Sequence, residues 1–339
     1  MIFKEIILIL ITCFMFTAFF MPVVKKIAFH IGALDKPNAR KVHKDPKPDI
    51  GGLGIYAGFL LGYILFGVQS VKMNSILIGS FIIIITGLID DVNPIKAKYK
   101  IIAQTIAASI IPLYGGIILN QISAFGLTLN FGFLSIPFTI LFIVAIINCI
   151  NLIDGLDGLA GGLSAIYFLT IGIISLLMFK YLTLEVILTF IMLGCTLGFL
   201  MHNFYPSTIF MGDTGSMFLG YIISVIALLG FKNITMTSFI VPILLLAIPI
   251  LDTSFAIIRR VVRRQPISKP DKEHLHHQLL KMNFSHRKTV LIIYGVDLLF
   301  AAASIIYVLK NRFLGYIVYG LLFIIVLIYV IKITKKDNN

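Results

Sequence analysis

Residues 151–162 read NLIDGLDGLAGG and connect two apolar segments, 133–150 and 159–179, each about long enough to cross a bilayer. Asp154 and Asp157 therefore lie at the junction of two predicted membrane helices. A charged side chain in a bilayer costs about 2.5 to 3.5 kcal/mol on insertion scales, so acids near such helices are candidates for function. If this segment is helical, the two carboxylates share one face. The junction predicts a membrane fold and a polar site at the membrane surface.

The composition of the whole chain also indicates a membrane protein. Of the 339 residues, 59% are hydrophobic and 13% are charged, and the mean hydropathy is +1.01. Soluble domains typically contain about 25% charged residues. We therefore predict an all-α polytopic integral membrane protein, with residues 1–339 forming a single transmembrane domain. About eleven spans are predicted, at 3–24, 50–70, 74–89, 101–119, 133–150, 159–179, 184–201, 216–231, 235–258, 289–309 and 313–331.

The distribution of basic residues predicts how these spans are oriented. With the N-terminus outside, 22 of the 28 Lys and Arg residues fall on the inner side. The positive-inside rule therefore places the N-terminus outside and the C-terminus in the cytoplasm. The first span is followed by PVVKKI rather than by a small-residue cleavage site, so we expect it to be retained. Cys13, Cys149 and Cys195 lie in or at the ends of apolar segments, which predicts packing roles and no disulfide.

Acidic residues and histidines gather on the predicted cytoplasmic side. Twelve of the 15 acids and all seven histidines lie there. Four stretches at the cytoplasmic ends of predicted helices carry most of the signal. They are GLIDDVNPIKAKYK (87–100), NCINLIDGLDGLAGG (148–162), HNFYPSTIFMGDTGS (202–216) and DKEHLHHQLL (271–280).

Carboxylates that converge in this way need a counter-charge. Clustered acids repel one another unless a cation lies among them, and Mg²⁺ uses one or two carboxylates together with water and substrate phosphate oxygens. Adjacent Asp90 and Asp91 point in different directions on a helix, so one can face the site while the other orients a neighbour. Three lysines follow them, at 96, 98 and 100. The pattern predicts a magnesium site for a phosphate-bearing substrate.

Structural interpretations of the same residues remain open at this stage. Acids at helix ends can be solvated or can cap backbone amides, and Asp213 alone would be typical of a turn. His274 and His277 share a face if their segment is helical, but histidines in a basic loop can also lie beside lipid headgroups. Asp252 follows Pro242 and Pro249, so it could brace a helix kink or face the site.

The four motifs, in this order and on this topology, resemble the polyprenyl-phosphate N-acetylhexosamine-1-phosphate transferases. The residues that carry the resemblance are DD at 90–91, NLIDGLDGLAGG, FMGDTGS and HLHHQL. It extends from DKPNARKVHKDPKPDIGGLG (35–54) to the histidine loop. It implies that a sugar 1-phosphate moves from a UDP-sugar to a membrane polyprenyl phosphate, with release of UMP.

The resemblance also implies roles for individual residues. Asp213 corresponds to the magnesium ligand, with Mn²⁺ as a substitute metal. The implied catalytic residues are Asp90, Asp91, Lys100, His274, His276 and His277. The implied substrate contacts are Lys44, Asn151, Asp154, Asp157, Asn203 and Phe210. The cytoplasmic active-site loops are expected at 25–49, 90–100, 151–158, 202–216 and 259–288.

Two motifs favour one branch of the superfamily. The muramoyl-pentapeptide branch typically reads PTMGG and HHHFE, where this chain reads PDIGG and HLHHQL. The resemblance therefore implies UDP-GlcNAc as donor and undecaprenyl phosphate as acceptor, in the first membrane step of a teichoic acid linkage unit, common antigen or O-antigen. It places the chain in the bacterial cytoplasmic membrane, among membrane lipids. No nucleic-acid partner is expected, and a homodimer is left open.

Three alternatives remain at the level of sequence. The donor could be UDP-MurNAc-pentapeptide. The chain could also be an ion-coupled transporter, because intramembrane acids and broken helices mark substrate paths. Within the transferase hypothesis, the lipid phosphate could attack directly, or a phospho-aspartate could form first.

Overall fold

The computed structural model describes two compact units, residues 1–239 and 240–339. The described residues are 2–35, 46–124, 127–178, 181–233, 240–266, 273–309, 313, 315, 317–322 and 324. Apart from two short hairpins in the first unit, the regular structure in these ranges is helical. The prediction of an all-α membrane protein is confirmed at this level.

Eight α-helices form the described part of the first unit. They are α1 (Ile2–Ile31), α2 (Gly51–Phe66), α3 (Val71–Val92), α4 (Ala97–Leu113), α5 (Ser135–Ile153), α6 (Leu159–Met178), α7 (Leu184–Asn203) and α8 (Gly212–Asn233).

Two antiparallel hairpins and one 3₁₀ turn complete this unit. Strand β1 (Leu34–Asp35) pairs with β2 (Lys47–Pro48), and β3 (Gln121–Ala124) pairs with β4 (Leu127–Asn130). The 3₁₀ turn, Gly132–Leu134, leads into α5. Helices α1 and α3 extend beyond their predicted spans, so the connections at the site are shorter than the predicted loops.

The second unit contains four described helices. They are α9 (Ile240–Leu245), α10 (Ala247–Val262), α11 (Leu275–Lys281) and α12 (His286–Leu309). The predicted span over 235–258, in which Pro242 and Pro249 were expected to interrupt the helix, is divided at Leu246 into α9 and α10. Pro249 has no N–H to offer the carbonyl of Leu245, and its ring crowds that carbonyl, which breaks the helix there.

Seven helices in the described part of the chain are long and apolar enough to cross a bilayer. They are α1, α3, α5, α6, α7, α8 and α12, and α2 is a shorter apolar helix. These helices support a multi-pass membrane protein. The count of eleven spans and the orientation of the termini stay predictions, and most of the predicted span 313–331 falls outside the described residues.

Helices α7 and α8 are the most buried of these candidate spans. Helix α7 packs against α1, α2 and α6, while α8 packs against α2, α3 and α5. Helices in lipid associate mainly by close packing, which small residues permit. Gly52 of α2 is one such residue, because a Cβ there would collide with backbone atoms of Thr214 and Gly215 in α8. The start of α8 is thus held against α2 by backbone contact.

We expect Gly52→Ala to lower the Tm, with a destabilisation of about 1 to 3 kcal/mol from overpacking. The colliding atoms are backbone and cannot rotate away. The three cysteines are free and buried, so a thiol-reactive dye can follow thermal unfolding.

Gly230→Ala is the matched control, since a Cβ on this α8 residue meets nothing within 4 Å. Alanine is favoured over glycine in a helix by about 0.5 to 1 kcal/mol, so its Tm should be unchanged or higher. An unchanged Tm for Gly52→Ala would contradict the close α2–α8 packing.

Candidate active site

Asp90 binds both the turn after α3 and a lysine of α4. One carboxylate oxygen accepts the backbone N–H of Ile95 at 2.9 Å, and the other accepts the Lys100 ammonium at 2.8 Å. The first bond gives a hydrogen-bond partner to the backbone amide of Ile95, which lies in the turn between α3 and α4. The second brings a positive charge to the end of α3. Asp90 therefore holds the turn between α3 and α4 and also binds the Lys100 ammonium.

Asp91 binds the N-terminus of α8. Its two oxygens accept the backbone N–H groups of Asp213 at 2.7 Å and Thr214 at 3.0 Å, and the Thr214 hydroxyl donates at 2.5 Å. The first amides of a helix have no intrahelical partner, and a carboxylate there also interacts favourably with the helix dipole. Asp91 thus caps a helix that is distant in sequence, and this orients Asp213.

Gly212 makes this close approach possible. Its φ is +69°, a left-handed conformation that glycine adopts without strain. A Cβ at this position would also lie 2.5 Å from the Asp91 carboxylate. The glycine before Asp213 is therefore needed both for the backbone turn and for the cap.

Lys100 and Asn151 converge on Asp213. The Lys100 ammonium lies 2.5 Å from one Asp213 oxygen, and the Asn151 side-chain amide donates to the other at 3.0 Å. The same amide donates to the Ser216 hydroxyl at 2.9 Å. Asp213, in the first turn of α8, is thereby contacted from α4 and α5. Asp90 joins this cluster through Lys100.

The three acids Asp90, Asp91 and Asp213 fit a divalent cation. One carboxylate oxygen from each lies within 4.8 Å of the others. Carboxylate oxygens are the ligands that Mg²⁺ prefers, and it tolerates a partial protein shell completed by water and phosphate oxygens. The single positive charge of Lys100, which contacts Asp90 and Asp213, cannot balance three carboxylates. A divalent cation would neutralise the remaining negative charge.

A second group of acids surrounds the α5–α6 junction. Burial, followed by the neighbouring carboxylates of Asp49, Asp213 and Asp157, raises the pKa of Asp154 well above its usual range. Asp157 accepts the backbone N–H of Ser207 at 2.9 Å, which ties this junction to the loop before α8. Asp154 is therefore close enough to Asp213 for their charges to interact.

The loop before α8 is held by Asn203 and by β2. The Asn203 side chain accepts the Gly158 N–H and donates to the Ile209 carbonyl, each at 2.9 Å. Phe210 donates its backbone N–H to Pro48 at 2.8 Å, and the Lys47 ammonium lies 4.9 Å from the centre of its ring. The oxygen and the nitrogen of the Asn203 side-chain amide thus both have backbone partners. The Phe210 ring lies beside the Lys47 ammonium.

In the second unit, Asp252 organises the start of α11. One oxygen lies 2.8 Å from His274 Nδ1, and the other accepts the Leu275 N–H at 2.7 Å. His274 precedes α11 as its N-cap in extended conformation, so the expected helical face shared with His277 is wrong. Asp252 caps the histidine helix from α10 and does not brace the kink.

The histidines of α11 differ in accessibility. His276 is buried, and its Nδ1 has no hydrogen-bond partner among the residues that the structure describes. Burial, followed by the neighbouring His277, lowers the pKa of His276 to about 3, so this imidazole is neutral at physiological pH. His277 is half-buried and packs 4.2 Å, centre to centre, from the His276 ring. Of the two, His277 is the more accessible to a substrate.

The structure brings most predicted site residues of the first unit together, and it adds others. Lys44 lies outside the described residues. Asp49, Lys47, Thr214 and Ser216 were not predicted as site residues, although Asp49 stands in the quoted PDIGG motif. A serine or threonine after an acid is too common a pattern to single out.

A family model described as "Glycosyl transferase family 4" matches residues 73–231, which extend from the first turn of α3 almost to the end of α8. A "Probable undecaprenyl-phosphate N-acetylglucosaminyl 1-phosphate transferase" of Bacillus subtilis (strain 168) is 43% identical over 289 residues. The match covers 84% of this chain and 80% of that protein. The chain belongs to glycosyl transferase family 4.

Two further relatives extend the comparison. A "Decaprenyl-phosphate N-acetylglucosaminephosphotransferase" of Mycolicibacterium smegmatis is 32% identical over 349 residues, covering 90% of this chain and 83% of that protein. An "Undecaprenyl-phosphate alpha-N-acetylglucosaminyl 1-phosphate transferase" of Salmonella typhi is 31% identical over 300 residues, with 84% and 79% covered. The predicted superfamily and its GlcNAc-1-phosphate branch are confirmed.

The adjacent acids of this family 4 chain should differ in their effect on stability. Asp91→Asn leaves one acceptor oxygen where two receive hydrogen bonds from α8, and it places an NH₂ donor against an N–H donor. Leaving a buried amide unpaired costs about 1 to 3 kcal/mol, so the Tm should fall.

Asp90→Asn is the control, because its remaining oxygen can still accept the Ile95 amide. Its Tm should stay closer to that of the unmodified protein, measured with the same thiol-reactive dye. Equal Tm values for the two variants would contradict the capping role of Asp91.

Proposed function

We propose that this chain transfers GlcNAc-1-phosphate from UDP-GlcNAc to undecaprenyl phosphate, giving undecaprenyl-diphosphate-GlcNAc and UMP. The observation that carries the proposal is the convergence of Lys100, Asp90 and Asp213 at the ends of three helices. A lysine among carboxylates suits a site where two phosphate groups must approach each other. The names of the related proteins support the same reaction.

The proposed reaction is a phosphoryl transfer. An oxygen of the lipid phosphate attacks the β-phosphorus of UDP-GlcNAc, and a new P–O bond forms. The bond between that phosphorus and the oxygen bridging to the α-phosphorus breaks, and UMP leaves with the electron pair. We propose direct attack, which needs one displacement and no covalent intermediate; a phospho-aspartate that forms first is the alternative mechanism.

Lys100 and Asp90 have separate tasks in this proposal. Lys100 offsets the negative charge of the two phosphates and of the departing UMP. Of the two neighbouring acids, Asp91 binds the N-terminus of α8 with both oxygens, whereas Asp90 lies beside the Lys100 ammonium. We therefore assign to Asp90 the task of accepting a proton from the lipid phosphate. Asp90, Asp91 and Asp213 would hold Mg²⁺, which supplies charge neutralisation at the phosphate oxygens. Mn²⁺ would substitute through the same oxygen ligands.

The α5–α6 junction and the loop before α8 would bind the nucleotide. Phe210 offers a ring on which uracil can stack, and Lys47 lies beside that ring. Burial raises the pKa of Asp154, which favours its neutral form, and a neutral carboxylic acid can donate a hydrogen bond. Asn203 would act by holding the α5–α6 junction and the loop before α8 in place, since its side-chain amide binds backbone atoms of Gly158 and Ile209. These contacts are expectations for the bound nucleotide.

Within the second unit, the family resemblance implies that the histidine loop contacts the donor. His277, the more accessible histidine of α11, can donate to the sugar or to the diphosphate. His276 would support the helix as a neutral buried ring. His274 is oriented by Asp252 at Nδ1, as orienting carboxylates often do for functional imidazoles.

The membrane setting follows from the acceptor. A lipid phosphate requires a catalyst in the membrane, and a UDP-sugar donor places the site on the cytoplasmic face of the bacterial inner membrane. The charge distribution of the sequence agrees with this orientation. Undecaprenyl-diphosphate-GlcNAc is a starting lipid for several envelope polymers, among them teichoic acid linkage units, common antigen and O-antigen.

The direct test supplies the purified chain with undecaprenyl phosphate and labelled UDP-GlcNAc, and measures lipid-linked label and UMP. We expect both products only when the lipid phosphate and Mg²⁺ are present, and neither after chelation. Asp90→Asn should reduce turnover about a hundredfold or more, because it removes the proposed base.

The controls separate the substrate from the reaction class. Glu5→Gln changes an exposed acid at the start of α1 and should retain full turnover. Turnover with UDP-MurNAc-pentapeptide but not with UDP-GlcNAc would overturn the donor alone. Turnover with neither donor would contradict the transferase function and return attention to an ion-coupled transporter.

A further inference from the structure

A second polar layer lies one helical turn below Lys100, Asn151 and Asp213. Gln104 follows Lys100 by four residues on α4, and Asn148 precedes Asn151 by three on α5. Met217 follows Asp213 by four residues on α8 and completes the layer. Residues three or four apart lie on the same face of a helix. The same three helices therefore meet twice, one turn apart.

Direct contacts connect the members of this lower layer. The Asn148 side-chain amide donates to Gln104 Oε1 at 2.7 Å and to the Val144 carbonyl at 2.7 Å. Gln104 Nε2 lies 3.3 Å from the Met217 sulfur. Gln104 is 1% exposed and Met217 is fully buried. A neutral amide pair thus connects α4 to α5, with α8 closing it.

Stability alone is a weak reason for this pair. Hydrogen bonds between membrane helices contribute on average about 0.6 kcal/mol, because the separated helices also find partners. An amide left alone costs more, about 1 to 3 kcal/mol. Buried polar pairs of this kind are best attested as devices that fix the register between helices.

The register of α4 determines where Lys100 lies. A slip of one residue moves a helical side chain by about 1.5 Å along the axis and turns it by roughly 100°. Such a slip would carry Lys100 away from the two carboxylates that it contacts. In α5, a slip would likewise remove Asn151 from Asp213. Misplacement by about 1 Å can cost a hundredfold in rate.

We propose that Gln104 and Asn148 are positioning residues that hold α4 and α5 in the register that brings Lys100 and Asn151 to Asp213. In this role the pair acts through the layer above it rather than through a contact with substrate. The inference rests on the proposed function for its kinetic consequence. Its structural consequence, the placement of Lys100, is independent of the reaction.

The test compares the single variants Gln104→Met and Asn148→Leu with the double variant. Each single variant leaves one amide without its partner and should lower the Tm. The double variant removes both amides at similar volume, so its Tm should return towards the unmodified value. Its kcat for UMP release should still be reduced at least tenfold, with a smaller change in KM.

A swapped pair provides the rescue. Gln104→Asn with Asn148→Gln restores an amide contact of the same total length, and we expect it to recover kcat to within about threefold. A double variant with unmodified kcat would overturn the proposal, because the pair would then serve packing alone. Failure of the swapped pair to recover any activity, at a normal Tm, would also contradict it.

A second readout does not depend on turnover. Lys100 is held between two carboxylates with a side chain that is 22% exposed, so it should react slowly with an amine-acylating reagent. Mass spectrometry should show at least threefold faster labelling of Lys100 in the double variant and slow labelling in the swapped pair. Unchanged labelling in the double variant would overturn the positioning role. A protein without turnover but with this labelling pattern would overturn only the proposed function.

Discussion

The site depends on one ammonium group held between two carboxylates. Lys100 of α4 contacts Asp90 of α3 and Asp213 of α8, so two consecutive helices and a third that is distant in sequence meet at one charge cluster. Ion pairs at exposed surfaces contribute little, but these side chains are mostly buried, and removing one partner would leave charges uncompensated. The packing of α8 against α2 and the cap from Asp91 both serve to place Asp213 in this cluster.

The cluster also carries an electrostatic constraint. Asp154 is close enough to Asp49, Asp157 and the proposed metal ligand Asp213 for their charges to interact, and its raised pKa reflects burial followed by this crowding of carboxylates. A fold that gathers so many acids is stabilised when cations enter. The same crowding that is costly without a counter-charge thus prepares the proposed site for a divalent cation and for phosphate groups.

Much of this arrangement could be predicted from sequence, because acids at helix ends in an apolar chain are costly unless a polar site uses them. The convergence of Asp154 and Asp213 and the proximity of Lys100 agree with the prediction. The different tasks of the adjacent acids were foreseen only in outline, since a cap between distant helices depends on tertiary packing. The prolines at 242 and 249 predicted an interrupted helix, and the structure locates the break at Leu246. The extended His274 was missed because a hydropathy pattern does not reveal which residue is the N-cap of a helix.

The central claim is that Asp90, Asp91 and Asp213 form a divalent cation site. Titration with Mn²⁺, followed by electron paramagnetic resonance, tests this claim most directly. We expect one Mn²⁺ bound per chain, with affinity weakened at least tenfold, about 1.4 kcal/mol, in Asp213→Asn. Glu5→Gln, which changes an exposed acid at the start of α1, should bind as the unmodified protein does. Unchanged Mn²⁺ affinity in a folded Asp213→Asn protein would contradict the proposed cation site.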